Sequence, residues 1–395
     1  MRLTTSIKTI LILALLVPCS NNSWAQTEAR ENRTLNLSLY SEILDETREV
    51  LVRLPQGYLD NPDARYPVFF VTDADWNFDL VASTLDFHTR WGRIPAFITI
   101  GIVNVNRNRD FVPKEDPGYP FTGSGDRFLD HLNDELLPII DASYRTSGRR
   151  ILFGHSFGGV VTINQMLRDA SVFDAHIAVG TSTWVAERVL FERTRTRLES
   201  NPSLDTFLYL SVGEGDGGAT VPDGALYAEL LTDLAPEGLE WSHTVFPSEN
   251  HFTNVPISLH DAIRVLFPFY QQAEHMMQSV EQAGPAGVAE WFSDQQGKLG
   301  WRFVPQSMEL GLAAVQLFVS GQQQAATAVF DELELRHPYR PETVAYRAIA
   351  YARADQPAAA IETIDRALEI GERVNHPESR MVSFRNFRQA MLDRL

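Results

Sequence analysis

The chain has one cysteine, Cys19, and it lies within the first 25 residues. Loss of that segment leaves no cysteine, hence no disulfide, no thiol nucleophile and no cysteine zinc site. Positive charge is also short. There are 34 Lys and Arg against 51 Asp and Glu, a formal net charge of −17. No positive field opposes phosphates, which argues against a nucleic-acid partner. Long apolar runs are missing too. Residues 10–17 form an unbroken one, too short to cross a bilayer, and no later run is longer. Neither H-E-x-x-H nor a P-loop occurs, and no metal or cofactor is expected.

What is present is ordinary for a globular protein. Of 395 residues, 44% are hydrophobic and 22% charged, enough for a core without metal or disulfide staples. Arg2 and Lys8 give a positive start, Pro18 breaks the apolar run, and Ser23-Trp24-Ala25 offers the small residues that a signal peptidase reads. The pattern predicts a signal peptide over 1–25, cleavage after Ala25 and a periplasmic or secreted location. Lipid attachment at Cys19 is the alternative, and Pro18 fits it poorly.

Residues 26–270 read as one α/β domain. Short apolar or alternating runs at 35–39, 50–54, 68–71, 97–103, 151–153, 177–179, 207–212 and 241–246 are strands. Helical spacing at 127–140, 160–167, 185–198, 223–235 and 257–267 lies between or after them. The alternation predicts a mostly parallel sheet with helices on both faces. Residues 271–305 are a connector whose Trp291, Phe292, Trp301 and Phe303 are too apolar for a free tether. Residues 306–395 are all helical. Ala314 and Ala348, Ala325 and Ala359, and Asp331 and Asp365 recur at an offset of 34, the tetratricopeptide period. Two repeats are fewer than stand alone, so this tail is expected to lean on the first domain, and it is the candidate surface for a protein partner.

The chemistry centres on Gly154-His155-Ser156-Phe157-Gly158-Gly159, between strand 151–153 and the helix from 160. G-x-S-x-G in that setting is a nucleophile elbow, with glycines where strand and helix leave no room. A serine needs a base and an acid, in chain order Ser, Asp or Glu, His. His251 follows a strand and its loop, where such sheets put catalysts. His243 lies inside the strand, His176 opens another and His260 sits in a helix. The acid is expected after strand 207–212, within Gly213-Glu214-Gly215-Asp216-Gly217-Gly218. Asp216 is preferred and Glu214 competes. The same stretch matches G-x-G-x-x-G, but the strand comes late, no helix is expected directly from the glycines, and Pro222 intervenes. The oxyanion donors are predicted as the backbone N–H of Phe157 and of Asp75, with Ala74 as fallback. The Asp75 carboxylate must then turn away or be paired.

These residues resemble the putative esterase family that includes enterochelin esterase. The match runs from about 35 to 270. It rests on Tyr66-Pro67-Val68 to Asp73, Gly101-Ile102, Arg107 to Asp110, Glu135 to Tyr144, Gly154 to Gly159 and Glu249-Asn250-His251. The resemblance implies an α/β-hydrolase fold, no metal, esterase activity, and roles for Ser156 and His251. The family often has Asp-Gly where this chain has Asp73-Ala74. Arg107 and Arg109, just past a strand end, are candidates to meet a polar acyl group. Trp76, with Phe78, Trp91 and Tyr119, is a candidate for an apolar pocket. The expected activity is ester hydrolysis through an acyl-enzyme. Acyl transfer by the same residues and a non-catalytic scaffold whose repeats bind a partner are the alternatives.

Overall fold

The computed structural model describes residues 34–168, 172–268 and 271–395. The expected signal segment lies outside them. Eight strands form one sheet: β1 (Leu35–Ser41), β2 (Glu46–Arg53), β3 (Tyr66–Val71), β4 (Ile98–Ile102), β5 (Thr146–His155), β6 (Ala175–Val179), β7 (Ser203–Gly213) and β8 (Glu237–Phe246). Their order is β1-β2-β4-β3-β5-β6-β7-β8. β1 and β2 enter as an antiparallel hairpin, and β2 pairs antiparallel with β4. From β4 to β8 every pairing is parallel. The burial of the strands explains the difference. Those at the centre are buried on both faces, whereas β1 alternates. All strands from β3 to β8 therefore end on one edge, and that edge gathers the loops carrying Ser156, Asp216 and His251.

Three segments depart from the sequence reading. The helix Ala74–Arg90 begins directly after β3, where a loop over 72–77 was expected. The helix expected over 127–140 is interrupted by a π-helical turn, Leu132–Leu136. There His131 Nδ1 meets Glu135 Oε2 at 2.7 Å, and Glu135 also accepts from Ser41 Oγ and from the Ile43 N–H. These contacts tie the helix to the turn between β1 and β2. The segment read as a connector is itself helical, Gln272–Ala283 and Ala286–Leu299. Its Met276, Val280, Trp291 and Phe292 share one apolar core with Leu310, Ala314 and Phe330 of the tail.

In the tail, the helix pair Ser307–Val319 and Gln323–Arg336 is followed by Pro341–Arg353 and Pro357–Arg373, each opening 34 residues after its counterpart. A fifth helix, Glu378–Leu392, closes the stack. The tail touches the first domain away from the serine. Arg340 donates to Arg90 O at the far end of the helix Ala74–Arg90, and Arg302, just before the tail, pairs with Glu240 early in β8.

His176, inside β6, is fully buried, and desolvation pushes its pKa down to about 3. In the unfolded chain it titrates near 6.5. Between those values the unfolded state binds a proton that the folded state refuses, so stability falls as pH falls. At pH 5 this one residue is expected to cost about 2 kcal/mol relative to pH 7.5. Urea unfolding of the wild type and of His176→Phe at both pH values checks it, with a shallower pH dependence expected for the variant. Equal slopes would place the proton uptake elsewhere.

Candidate active site

Ser156 sits at the turn from β5 into the helix Phe157–Met166, with φ 60° and ψ −117°. A side chain in that region is strained and persists only where its surroundings enforce it. Here the crowding is measurable. A Cβ on Gly154 would lie 2.0 Å from Gly158 O, and one on Gly158 would lie 2.4 Å from Thr72 Oγ1. The elbow can therefore form only with glycine at both places. The Ser156 N–H donates to Val179 O of the neighbouring β6, which fixes the turn against the sheet.

His251 lies after β8. Its Nδ1 is 2.8 and 3.0 Å from the two carboxylate oxygens of Asp216. A carboxylate can only accept, so Nδ1 carries a proton and Nε2 is the ring nitrogen left for the serine. The Asp216 side chain is almost wholly buried and the imidazole about a quarter exposed. Glu214 points to solvent and touches no imidazole among the described residues. The two loops lie flush because residue 213 is glycine. A Cβ there would meet Glu249 O at 2.4 Å. The Gly215 N–H donates to Glu249 O, and Asn250 Oδ1 accepts from the N–H groups of Phe252 and Thr253. The glycine-rich stretch thus holds the histidine loop. A helix does open close behind it, Thr220–Leu234, with Pro222 in its first turn, where proline is tolerated.

The serine and histidine loops meet at the same sheet edge. The His155 and His251 rings are 4.6 Å apart, and His155 Nε2 lies 2.7 Å from His251 O. Ser156 Oγ makes its hydrogen bond, at 3.4 Å, with Ser182 Oγ. Among the described residues none joins it to His251.

Asp73 caps the helix Ala74–Arg90 with φ 53° and ψ 47°. The positive φ falls on Asp73 and not on Ala74, and aspartate tolerates it better than most side chains. The N–H groups of Trp76 and Asn77 bond back to Asp73 O, whereas among the described residues no backbone oxygen accepts from the N–H of Ala74 or Asp75. The Asp75 carboxylate is turned onto the Asn104 N–H at 3.0 Å. On the other helix, the Phe157 N–H likewise finds no backbone acceptor among the described residues.

Arg107 and Arg109, the candidates to meet a polar acyl group, are both engaged in ion pairs within the protein. Arg107 grips both carboxylate oxygens of buried Asp73 at 2.7 and 2.9 Å and donates to His155 O at 3.2 Å. Arg109 is taken up by Glu46 and Asp110. Of the aromatics, Trp76 is 64% exposed with the Arg107 guanidinium 5.4 Å from its ring. Tyr119 packs on Phe157 and Trp184 at ring distances of 5.2 and 5.5 Å. Phe78 is a core residue beneath Gly101, and Trp91 lies past the far end of its helix, so neither reaches the site. Sequence reasoning missed Asp73, Ser182, Trp184 and His155. His155 was legible as the variable position of the elbow motif, and Ser182 follows the end of β6.

Residues 41–221 match the model of a family described as putative esterase. The ferri-bacillibactin esterase of Bacillus subtilis is 25% identical over 242 residues, 54% of this chain and 83% of that protein. The siderophore enterobactin esterase of Emericella nidulans is 32% identical over 92 residues, 22% of this chain and 30% of its own length. Among solved structures, an IroE-like serine hydrolase from Shewanella oneidensis superposes with TM-score 0.64 at 28% identity, covering 77% of this chain and 99% of that one. An uncharacterised protein from Capnocytophaga ochracea covers 90% of this chain and all of its own, with TM-score 0.60 at 17% identity, a likeness of fold.

Proposed function

The chain belongs, through residues 41–221, to the putative esterase family of α/β hydrolases, and from that premise we propose that it is an exported hydrolase that cleaves carboxylic esters through Ser156, His251 and Asp216. The observation that carries this reading is the imidazole of His251, held at Nδ1 by a buried carboxylate and lying beside the elbow.

Ser156 Oγ leaves Ser182, gives its proton to His251 Nε2 and attacks the ester carbonyl. Catalytic hydrogen bonds of this kind commonly tighten only when substrate is present. The oxyanion accepts from the Phe157 and Asp75 N–H groups, with Ala74 the neighbouring donor, and both helix N-termini favour the charge. The imidazolium then protonates the leaving alcohol. Water, deprotonated by Nε2, releases the acid and restores Ser156. The names of the relatives support siderophore esters as the first substrates to try. The leader-like pattern of residues 1–25 supports export. No helix among the described residues is long and apolar enough to cross a membrane. The 34-residue spacing supports tetratricopeptide-like packing of the tail.

A fluorophosphonate probe tests the reading. Intact-mass analysis is expected to show one adduct, mapped to Ser156, with loss of turnover on a panel of p-nitrophenyl and catecholate esters in parallel. An unlabelled chain with no turnover would favour the scaffold alternative.

A further inference from the structure

The residue before the nucleophile has no part in this mechanism, yet it is bonded to the main chain of the base. His155 is 4% exposed. Its Nε2 faces a carbonyl oxygen, His251 O, at 2.7 Å, and a carbonyl can only accept, so the ring is protonated there. The two rings lie 4.6 Å apart, tilted by 44°. A Cβ placed on Gly180 would come within 3.4 Å of the His155 ring and 3.3 Å of Asp216 Oδ2, so His155, Asp216 and Gly180 close on one another.

We infer that His155 is a positioning residue that fixes the main chain of His251 relative to the nucleophile. The inference rests on the ester-hydrolase reading and adds a member to its site. Asp216 sets the rotation of the imidazole, because it binds the ring at Nδ1. It does not set where the Cα of residue 251 stands, since a loop can shift while the ring keeps its carboxylate. His155 supplies that second constraint. It is joined to Ser156 by one peptide bond, so whatever it grips is held in register with the serine. Misplacement by about 1 Å costs on the order of 10²-fold in rate.

The residue must also be neutral. Burial and the adjacent His251 push its pKa down to about 4. A second cation beside His251 would oppose the imidazolium formed during turnover, whereas a neutral ring does not.

The test compares His155→Phe, which keeps a ring but has no donor, with His155→Gln, whose amide can reach the same carbonyl. His155→Leu repeats the donor loss should the Phe variant not fold. The donorless variants are expected to lose about 10–100-fold in kcat with KM within about two-fold, and to be labelled by fluorophosphonate correspondingly more slowly. His155→Gln is expected to recover to within about five-fold of wild type at a similar melting temperature. Wild-type kcat and labelling rate in the donorless variants would overturn the proposal. So would equal losses in Gln and Phe, which indicate packing alone. Failure of the wild type itself to label would count against the ester-hydrolase reading instead, which keeps the two apart.

Discussion

Ser156→Ala and His251→Ala are each expected to lower kcat by about 10⁵–10⁶-fold, with the double variant no worse than either. The equality matters more than the size. A nucleophile and its base act in one step, and once either is gone the other has nothing to do. What survives comes from the oxyanion donors and from binding, which neither substitution touches. Asp216→Asn is expected to lose about 10⁴-fold, because an amide in that place can hold the wrong imidazole tautomer with its N–H facing Nδ1. Glu214→Gln should stay within about two-fold, since that side chain faces solvent. Steady-state kinetics on one activated ester, with circular dichroism to show folding, reads all five proteins. A large loss at Glu214 with little at Asp216 would mean that Glu214, and not Asp216, is the acid. Losses at 156 and 251 that multiply in the double variant would mean that the two residues act independently.

Much of this arrangement was legible in the residues. The elbow announces itself because glycine at 154 and 158 has a steric cause that the sequence shows directly. Chain order, with strands read as short apolar runs, points to Asp216 and His251, and the fold brings those two side chains together. The helix Ala74–Arg90 was hidden for a local reason. It opens on Asp73, an N-cap residue type, but in a left-handed conformation and with its carboxylate committed to Arg107 and Asn104 and not to the helix N–H groups, contacts that only the fold brings about. The π-helical turn at Leu132–Leu136 shifts the phase of a pattern that reads as one helix, and the shift depends on Glu135 reaching the β1–β2 turn, a contact between distant parts of the chain. The fate of Arg107 was equally unreadable. Exposure statistics favour a solvent-facing guanidinium, and only the fold brings residues 73 and 107 together.

That ion pair gives the second large effect. The Asp73 side chain has no exposed surface, and Arg107 supplies two of its hydrogen bonds, leaving Asn104 Nδ2 at 2.8 Å as the remaining one among the described residues. Arg107→Ala therefore strands a buried carboxylate and is expected to cost about 3 kcal/mol in urea unfolding, the lower end for breaking a buried pair because the guanidinium is 20% exposed. Adding Asp73→Asn removes the stranded charge and should return part of that stability. It should not return activity. Arg107 also bonds His155 O, so the same guanidinium braces the helix start carrying the Ala74 and Asp75 N–H groups against the serine elbow. Without it the two proposed oxyanion donors lose their common reference, and kcat is expected to remain about 10²-fold down in the double variant. Arg107→Lys restores charge but not the two-pronged grip, and should fall between. The sequence-based expectation, an arginine that meets the substrate, forecasts another pattern: unchanged urea midpoints, with KM raised for anionic esters and not for neutral ones. Unfolding curves and a two-substrate KM comparison on the same four proteins decide between a brace and a recognition residue.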